Sequence, residues 1–154
     1  MDLSTLLAPQ AVKVVSDVSS KKRLLQALAE LAETRADIPA ARIFDALQER
    51  ESLGPTGVGH GIALPHARLA GLEDVFGVFV RLDRPIDFDA ADRQPVDLIF
   101  TLLAPVDSGV DHLKALALVS RTLRNEDLCA KLRANNDPST LYTLLTDIET
   151  SAAA

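Results

Sequence analysis

Apolar positions recur with a helical period near the start of the chain, crowd into almost unbroken runs in the middle, and return to a helical period in the last third. Residues 11–15 (AVKVV) predict a short strand, with Pro9 upstream and serines downstream. Ser19 or Ser20 then caps a helix reaching about Arg35, where Leu24, Leu28 and Leu31 fall at i, i+4 and i+7 on one stripe. A second helix starts near Pro39, a favoured first-turn residue, and turns Ile43, Phe44 and Leu47 inward. Gly54-Pro55 stops it.

Residues 61–64 read as a short strand between loops. Residues 75–82 (VFGVFVRL) read as a strand buried on both faces, broken by residues 83–85, with a brief edge strand over 86–88. Residues 95–104 (PVDLIFTLLA) predict a central strand, and 107–109 a loop. A helix over 111–124 is expected to bury Leu113, Leu116, Val119 and Leu123. Asn125 caps a shorter helix carrying Leu128, Cys129 and Leu132. Asp137-Pro138 opens a last helix with Leu141, Leu144, Leu145 and Ile148 inward. Strands buried on both faces need cover on both faces, and helices stand before and after them. The expected fold class is α/β (α+β): a three-layer α/β/α sandwich around a central mixed β-sheet.

The 154 residues suit one domain, 1–154, with 150–154 expected to fray. Aromatic content is 4% and the net charge is −6, which argue against base-stacking platforms and broad DNA-binding faces; no nucleic-acid partner is expected. Cys129 is the only cysteine, so no internal disulfide forms, as suits a reducing compartment. No signal peptide and no apolar run long enough to span a bilayer is visible, so a cytoplasmic protein without membrane insertion is expected.

GVGHGIALPHAR, residues 57–68, holds two of the three histidines, His60 and His66. If the segment is extended they stand roughly 20 Å apart, too far to share one zinc ion. No metal and no cofactor are expected. The glycines do not spell a nucleotide P-loop, because GxxxxGK[ST] is absent. They suit turns. His66 is a candidate nucleophile: a neutral imidazole attacks well near pH 7, and Pro65 stiffens the backbone before it. It is expected to end a strand at a cleft, with Arg50 or Arg68 able to neutralise phosphate charge and His112 able to bond it. Spacing alone leaves open a plain strand-end histidine bonded to backbone. It likewise leaves Asp107 and Asp111 as ordinary helix-start acids and Asp87, Asp89 and Asp92 as a solvated loop face.

RESLGPTGVGHGIALPHARL (50–69), FGVFVRLDRPIDFDAADRQPVDLIFTLLAP and DHLKALALVSRTLRNEDLCAKLR together resemble the EIIA proteins of the bacterial phosphoenolpyruvate phosphotransferase system. The likeness is to the fructose/mannitol class and its nitrogen-regulatory branch, and covers nearly the whole chain beyond about Leu6. It implies a mixed sheet between helices. It implies that His66, in the PH motif, accepts a phosphoryl group from an HPr-type phosphocarrier protein (NPr), that His112 orients or stabilises it, and that Arg50 binds its oxygens. It further implies regulation of partner proteins by phosphorylation state. The alternatives are a sugar-specific EIIA passing phosphate to an EIIB cysteine, and a docking-only module without transfer. Many relatives carry Asn where this chain has His60, which reads as a loop residue without a role.

Overall fold

The computed structural model describes the backbone of residues 1–153 and the side chains of residues 1–147. The expected burial of Ile148 lies outside the described side chains. The chain opens on a single helical turn, α1 (Leu3–Leu6), whose first amides are capped by the Asp2 carboxylate. One turn is too short to show a period, so the sequence pattern did not predict it. β1 (Leu7–Val15) follows, then α2 (Lys21–Ala36) and α3 (Ala40–Ser52). Ser20 caps α2 by accepting the Arg23 amide, and α3 starts directly after Pro39.

β1 is longer than expected, because Pro9 lies inside it and not before it. A proline removes one ladder donor, which only an edge strand or a bulge tolerates. Here β1 is the edge of the sheet, and its register with its neighbour shifts between Leu7 and Val12.

Next come β2 (Gly57–Gly59), β3 (Ile62–Ala63), β4 (His66–Leu69), β5 (Phe76–Ile86) and β6 (Val96–Pro105). The sheet runs β1-β5-β6-β3-β2, with β4 also paired to β6. It is mixed: β1 is parallel to β5, β5 antiparallel to β6, β6 parallel to β3 and β4, and β3 antiparallel to β2. β5 does not break at residues 83–85. It continues to Ile86 with a shift in register past Arg81, so the separate edge strand expected over 86–88 is the bulged end of β5. β1 pairs with β5 no further than Leu82, which frees that stretch to bend around Pro85.

α4 (Val110–Leu123), α5 (Glu126–Arg133) and α6 (Pro138–Ala153) complete the chain. α2 and α3 pack on each other and against β5 and β4, while α4 and α6 pack against β6 and β1. This is the three-layer mixed α/β arrangement the pattern predicts. The core is aliphatic, with Phe79, Phe88 and Phe100 as its largest sealed side chains. Among the described residues no helix is long and apolar enough to cross a membrane.

One inward position differs. Leu113 does not enter the core but stands 64% exposed, while His112 is 5% exposed. The buried stripe of α4 is His112, Ala115, Leu118, Val119, Thr122 and Leu123, so the helix is rotated to turn an imidazole inward.

Gly77 of β5 lies under the Phe100 ring of β6, and a Cβ there would stand 2.4 Å from Phe100 Cε1. Overpacking a sealed core typically costs about 1–3 kcal/mol. Gly77→Ala is therefore expected to lower the urea midpoint by a corresponding amount. An unchanged midpoint would show that the ring has room to move.

Candidate functional site

β3 and β4 are one strand in all but one respect. Ala63 pairs with Ile99 and His66 with Leu102, so the offset to β6 is the same on both sides of Leu64-Pro65. The Leu102 amide donates to the Pro65 carbonyl at 3.0 Å, but Pro65 has no N–H to return. The expectation that His66 ends a strand is thus corrected: it restarts one.

The His66 ring is half-buried, and its Nδ1 lies 2.9 Å from the Leu64 carbonyl oxygen. A carbonyl only accepts, so Nδ1 carries the proton in this bond and the lone pair of neutral His66 sits on Nε2. His112, in the first turn of α4, faces His66 edge-on, with ring centroids 5.5 Å apart and planes at 69°. Among the described residues the buried His112 Nε2 has no hydrogen-bond partner.

Both rings line an open cavity of about 460 Å³, together with Arg50, Arg68, Leu53 and Leu113. Arg50 lies in the last turn of α3 and donates Nη1 to the Gly54 carbonyl at 2.9 Å. Arg68, two residues after His66 on β4, donates Nη1 to the Val106 carbonyl at 3.1 Å. A guanidinium has five N–H donors, so each arginine is fixed by one and keeps others for an anion. His66, His112 and Arg50, which the sequence singles out, are brought together, and Arg68 joins them.

Other candidates fall elsewhere. His60 is exposed, takes φ of 58°, and lines a different cavity with Arg124, Cys129 and Arg133. Its amide donates to Asp92 Oδ2 at 2.9 Å and its carbonyl accepts from Arg133 Nη2 at 2.8 Å. Asp92 is thus a turn builder, not merely a solvated face. Asp107 and Asp111 are exposed, and no hydrogen bond joins either to His112.

Sequence reasoning missed Glu51. Its side chain is almost sealed and accepts from both the amide and the hydroxyl of Thr56, while Lys21 Nζ lies 2.8 Å from its Oε2. Nothing in the spacing marks a carboxylate next to Arg50 as buried. A Thr five residues on is the only clue, and it is weak.

Burial lowers the pKa of His66, and the Arg50 cation adds to that, against the Leu64 carbonyl and Glu51, which raise it. Burial also lowers His112, reinforced by His66 and Arg68. Both rings are therefore neutral near pH 7.

With this geometry in hand, comparison with known proteins is direct. The family model described as phosphoenolpyruvate-dependent sugar phosphotransferase system, EIIA 2 matches residues 5–148. The chain belongs to that family. Within it the similarity is to nitrogen regulatory proteins. The one from Bradyrhizobium diazoefficiens is 49% identical over 145 residues, 94% of this chain and 95% of that protein. The one from Escherichia coli K12 is 42% identical over 152 residues, 97% of this chain and 92% of that protein. The crystal structure of nitrogen regulatory protein IIA-Ntr from Neisseria meningitidis superposes with a TM-score of 0.85 at 34% identity, covering 92% of this chain and 97% of that one.

The depressed histidines make stability depend on pH. An unfolded histidine titrates near 6.5, while folded His66 and His112 titrate lower. Between those values the unfolded chain holds more protons, so stability is full above about pH 6.5 and falls as pH drops toward the folded values. Urea unfolding from pH 8 to pH 5.5 is expected to show this loss, reduced in His112→Gln. A loss of equal size in that variant would remove His112 from the account.

Proposed function

We propose that this chain, acting as one EIIA domain, is a phosphoryl carrier of the nitrogen-regulatory phosphotransferase system. It accepts a phosphoryl group on His66 from an HPr-type phosphohistidine carrier and regulates partner proteins according to its phosphorylation state. The observation that carries this reading is the pairing of His66, held through Nδ1 by the Leu64 carbonyl, with His112 and Arg50 in one open cavity.

The chemistry follows from the held ring. The Nε2 lone pair attacks phosphorus in line. The new nitrogen–phosphorus bond forms as the bond to the donor imidazole breaks, and the donor nitrogen keeps that electron pair. The Nδ1 proton stays on the ring and keeps donating to the Leu64 carbonyl, which stabilises the cationic ring of the product. The transferred group is loosely bonded in flight, so catalysis is positioning and charge stabilisation. Arg50 and Arg68 supply positive charge, and His112 a neutral ring with an unused nitrogen. The phosphoryl group itself carries roughly two negative charges at an open surface, partly offset by the cationic ring. That is enough to make or break a partner interface.

Leu53 and Leu113, 81% and 64% exposed, flank the cavity, and Val106 and Val110 stand nearby on the β6–α4 connection. Exposed leucines beside a charged site suit a protein donor better than a small molecule. The sugar-uptake alternative has less support: the fructose-specific EIIA component of Haloferax volcanii is 35% identical to this chain, against 49% and 42% for the two nitrogen regulatory proteins. The intact histidines and Arg50 argue against a docking-only module.

Incubation with phosphoenolpyruvate, Enzyme I and an HPr-type carrier is expected to label the wild-type chain and leave folded His66→Ala unlabelled. Label persisting on His60 or His112 would contradict the assignment. The transfer rate is expected to fall on acidification with a midpoint below pH 6.5, the ordinary histidine value.

Leu113→Glu is expected to raise the carrier concentration needed for half-maximal rate about tenfold, as loss of one interface anchor does, with little change at saturation. An unchanged requirement would place the docking surface elsewhere.

A further inference from the structure

A chain of hydrogen bonds leads from the buried Glu51 to the reactive ring. The Glu51 carboxylate accepts the Thr56 amide at 3.2 Å and also the Thr56 hydroxyl. The Thr56 carbonyl accepts the Leu64 amide at 3.0 Å. The Leu64 carbonyl in turn accepts Nδ1–H of His66 at 2.9 Å. Lys21, the first residue of α2, anchors the far end: its ammonium sits 2.8 Å from Glu51 Oε2 and 4.6 Å from the centre of the sealed Phe88 ring.

The same loop is tied from its other side. Arg50, the neighbour of Glu51, donates to the Gly54 carbonyl at 2.9 Å, and the Gly54 amide donates to the Glu51 carbonyl at 3.1 Å. Residues 53–56 are thus held at both ends by two consecutive side chains of α3. One of these faces the open cavity and the other faces the core.

We propose that Lys21, Glu51 and Thr56 form a positioning triad, with Glu51 and Thr56 buried and Lys21 at its partly exposed end, which holds the Leu64 carbonyl and so fixes His66 as the Nδ1–H form with Nε2 aimed into the cavity. None of the three touches the reacting atoms; each acts through backbone. Burying a carboxylate and an ammonium is costly unless both are fully satisfied. The Glu51 carboxylate meets that condition with three donors, one of them the partly exposed Lys21 ammonium, and a carboxylate so held resists the small shifts that an exposed loop allows. A displacement of about 1 Å at a reacting centre costs on the order of a hundredfold in rate.

The triad rests on His66 being the phosphoryl acceptor, and the test separates the two ideas. Single-turnover transfer from a phosphorylated HPr-type carrier is measured alongside the imidazole nitrogen-15 shifts of unphosphorylated chain. Glu51→Gln and the near-isosteric Thr56→Val are expected to slow transfer at saturating carrier by about ten- to a hundredfold. The carrier concentration for half-maximal rate stays the same, and the His66 nitrogens move toward a mixture of tautomers. Thr56→Ser, which keeps the hydroxyl, recovers most of what Thr56→Val loses. If Glu51→Gln fails to fold, Thr56→Val decides alone.

Wild-type rates in folded variants would overturn the proposal. So would slowed transfer with an unmoved Nδ1–H signature, which marks a merely structural role. If wild-type His66 takes no phosphate, the carrier reading falls. The nitrogen shifts still report whether the triad sets the ring.

Discussion

The Leu64 carbonyl can accept a hydrogen bond but cannot donate one, and the state of the His66 ring depends on that. A bond of 2.9 Å to this oxygen holds the ring in one tautomer and one orientation. It leaves the far nitrogen with its lone pair toward the cavity. Without the bond, the ring is free to turn and to exchange its proton between nitrogens, and proximity of Arg50 and His112 loses its value.

The carbonyl is available because backbone groups alternate along a strand. The Leu98 and Leu102 amides of β6 donate to the Gly61 and Pro65 carbonyls, while the Leu64 amide donates the other way, to the Thr56 carbonyl. The Leu64 carbonyl therefore faces away from β6 and is free for His66. Pro65 lacks only the N–H, so its carbonyl keeps its ladder bond and pairing continues in the same register at His66. The interruption costs a hydrogen bond but not the pairing offset. A rigid central strand, β6, therefore aligns both sides of the gap, and the reactive residue is placed by the sheet instead of by a loop. α4 then brings the second imidazole, since the rotation that exposes Leu113 is the one that turns His112 inward. The apolar rim and the buried histidine are two consequences of one helix orientation.

Much of this was legible in the chain. Central strands betray themselves by uninterrupted apolar runs, and β5 and β6 lie where those runs do. Ser20, Asn125 and Pro138 mark helix starts through local chemistry that needs no tertiary context. What escaped is what tertiary packing decides. The inward face of α4 looked like a leucine stripe, yet a histidine took a core position because a second imidazole waited opposite. Pro9 and Pro85 read as strand breakers, yet one stands on a sheet edge and the other beyond the last β1 pair, where a missing donor does no harm. His66, His112 and Arg50 were raised by their residue chemistry and singled out by motif resemblance. Glu51 was not, since burial of a carboxylate depends on Lys21, thirty positions earlier in the chain.

The most direct test is the identity of the nitrogen that bears phosphorus. Phosphorus–nitrogen-15 correlation on the phosphorylated chain is expected to place the group on Nε2 of His66, with the Nδ1 proton still bonded to Leu64. Phosphorus on Nδ1, or on a different histidine, would contradict the account at its foundation.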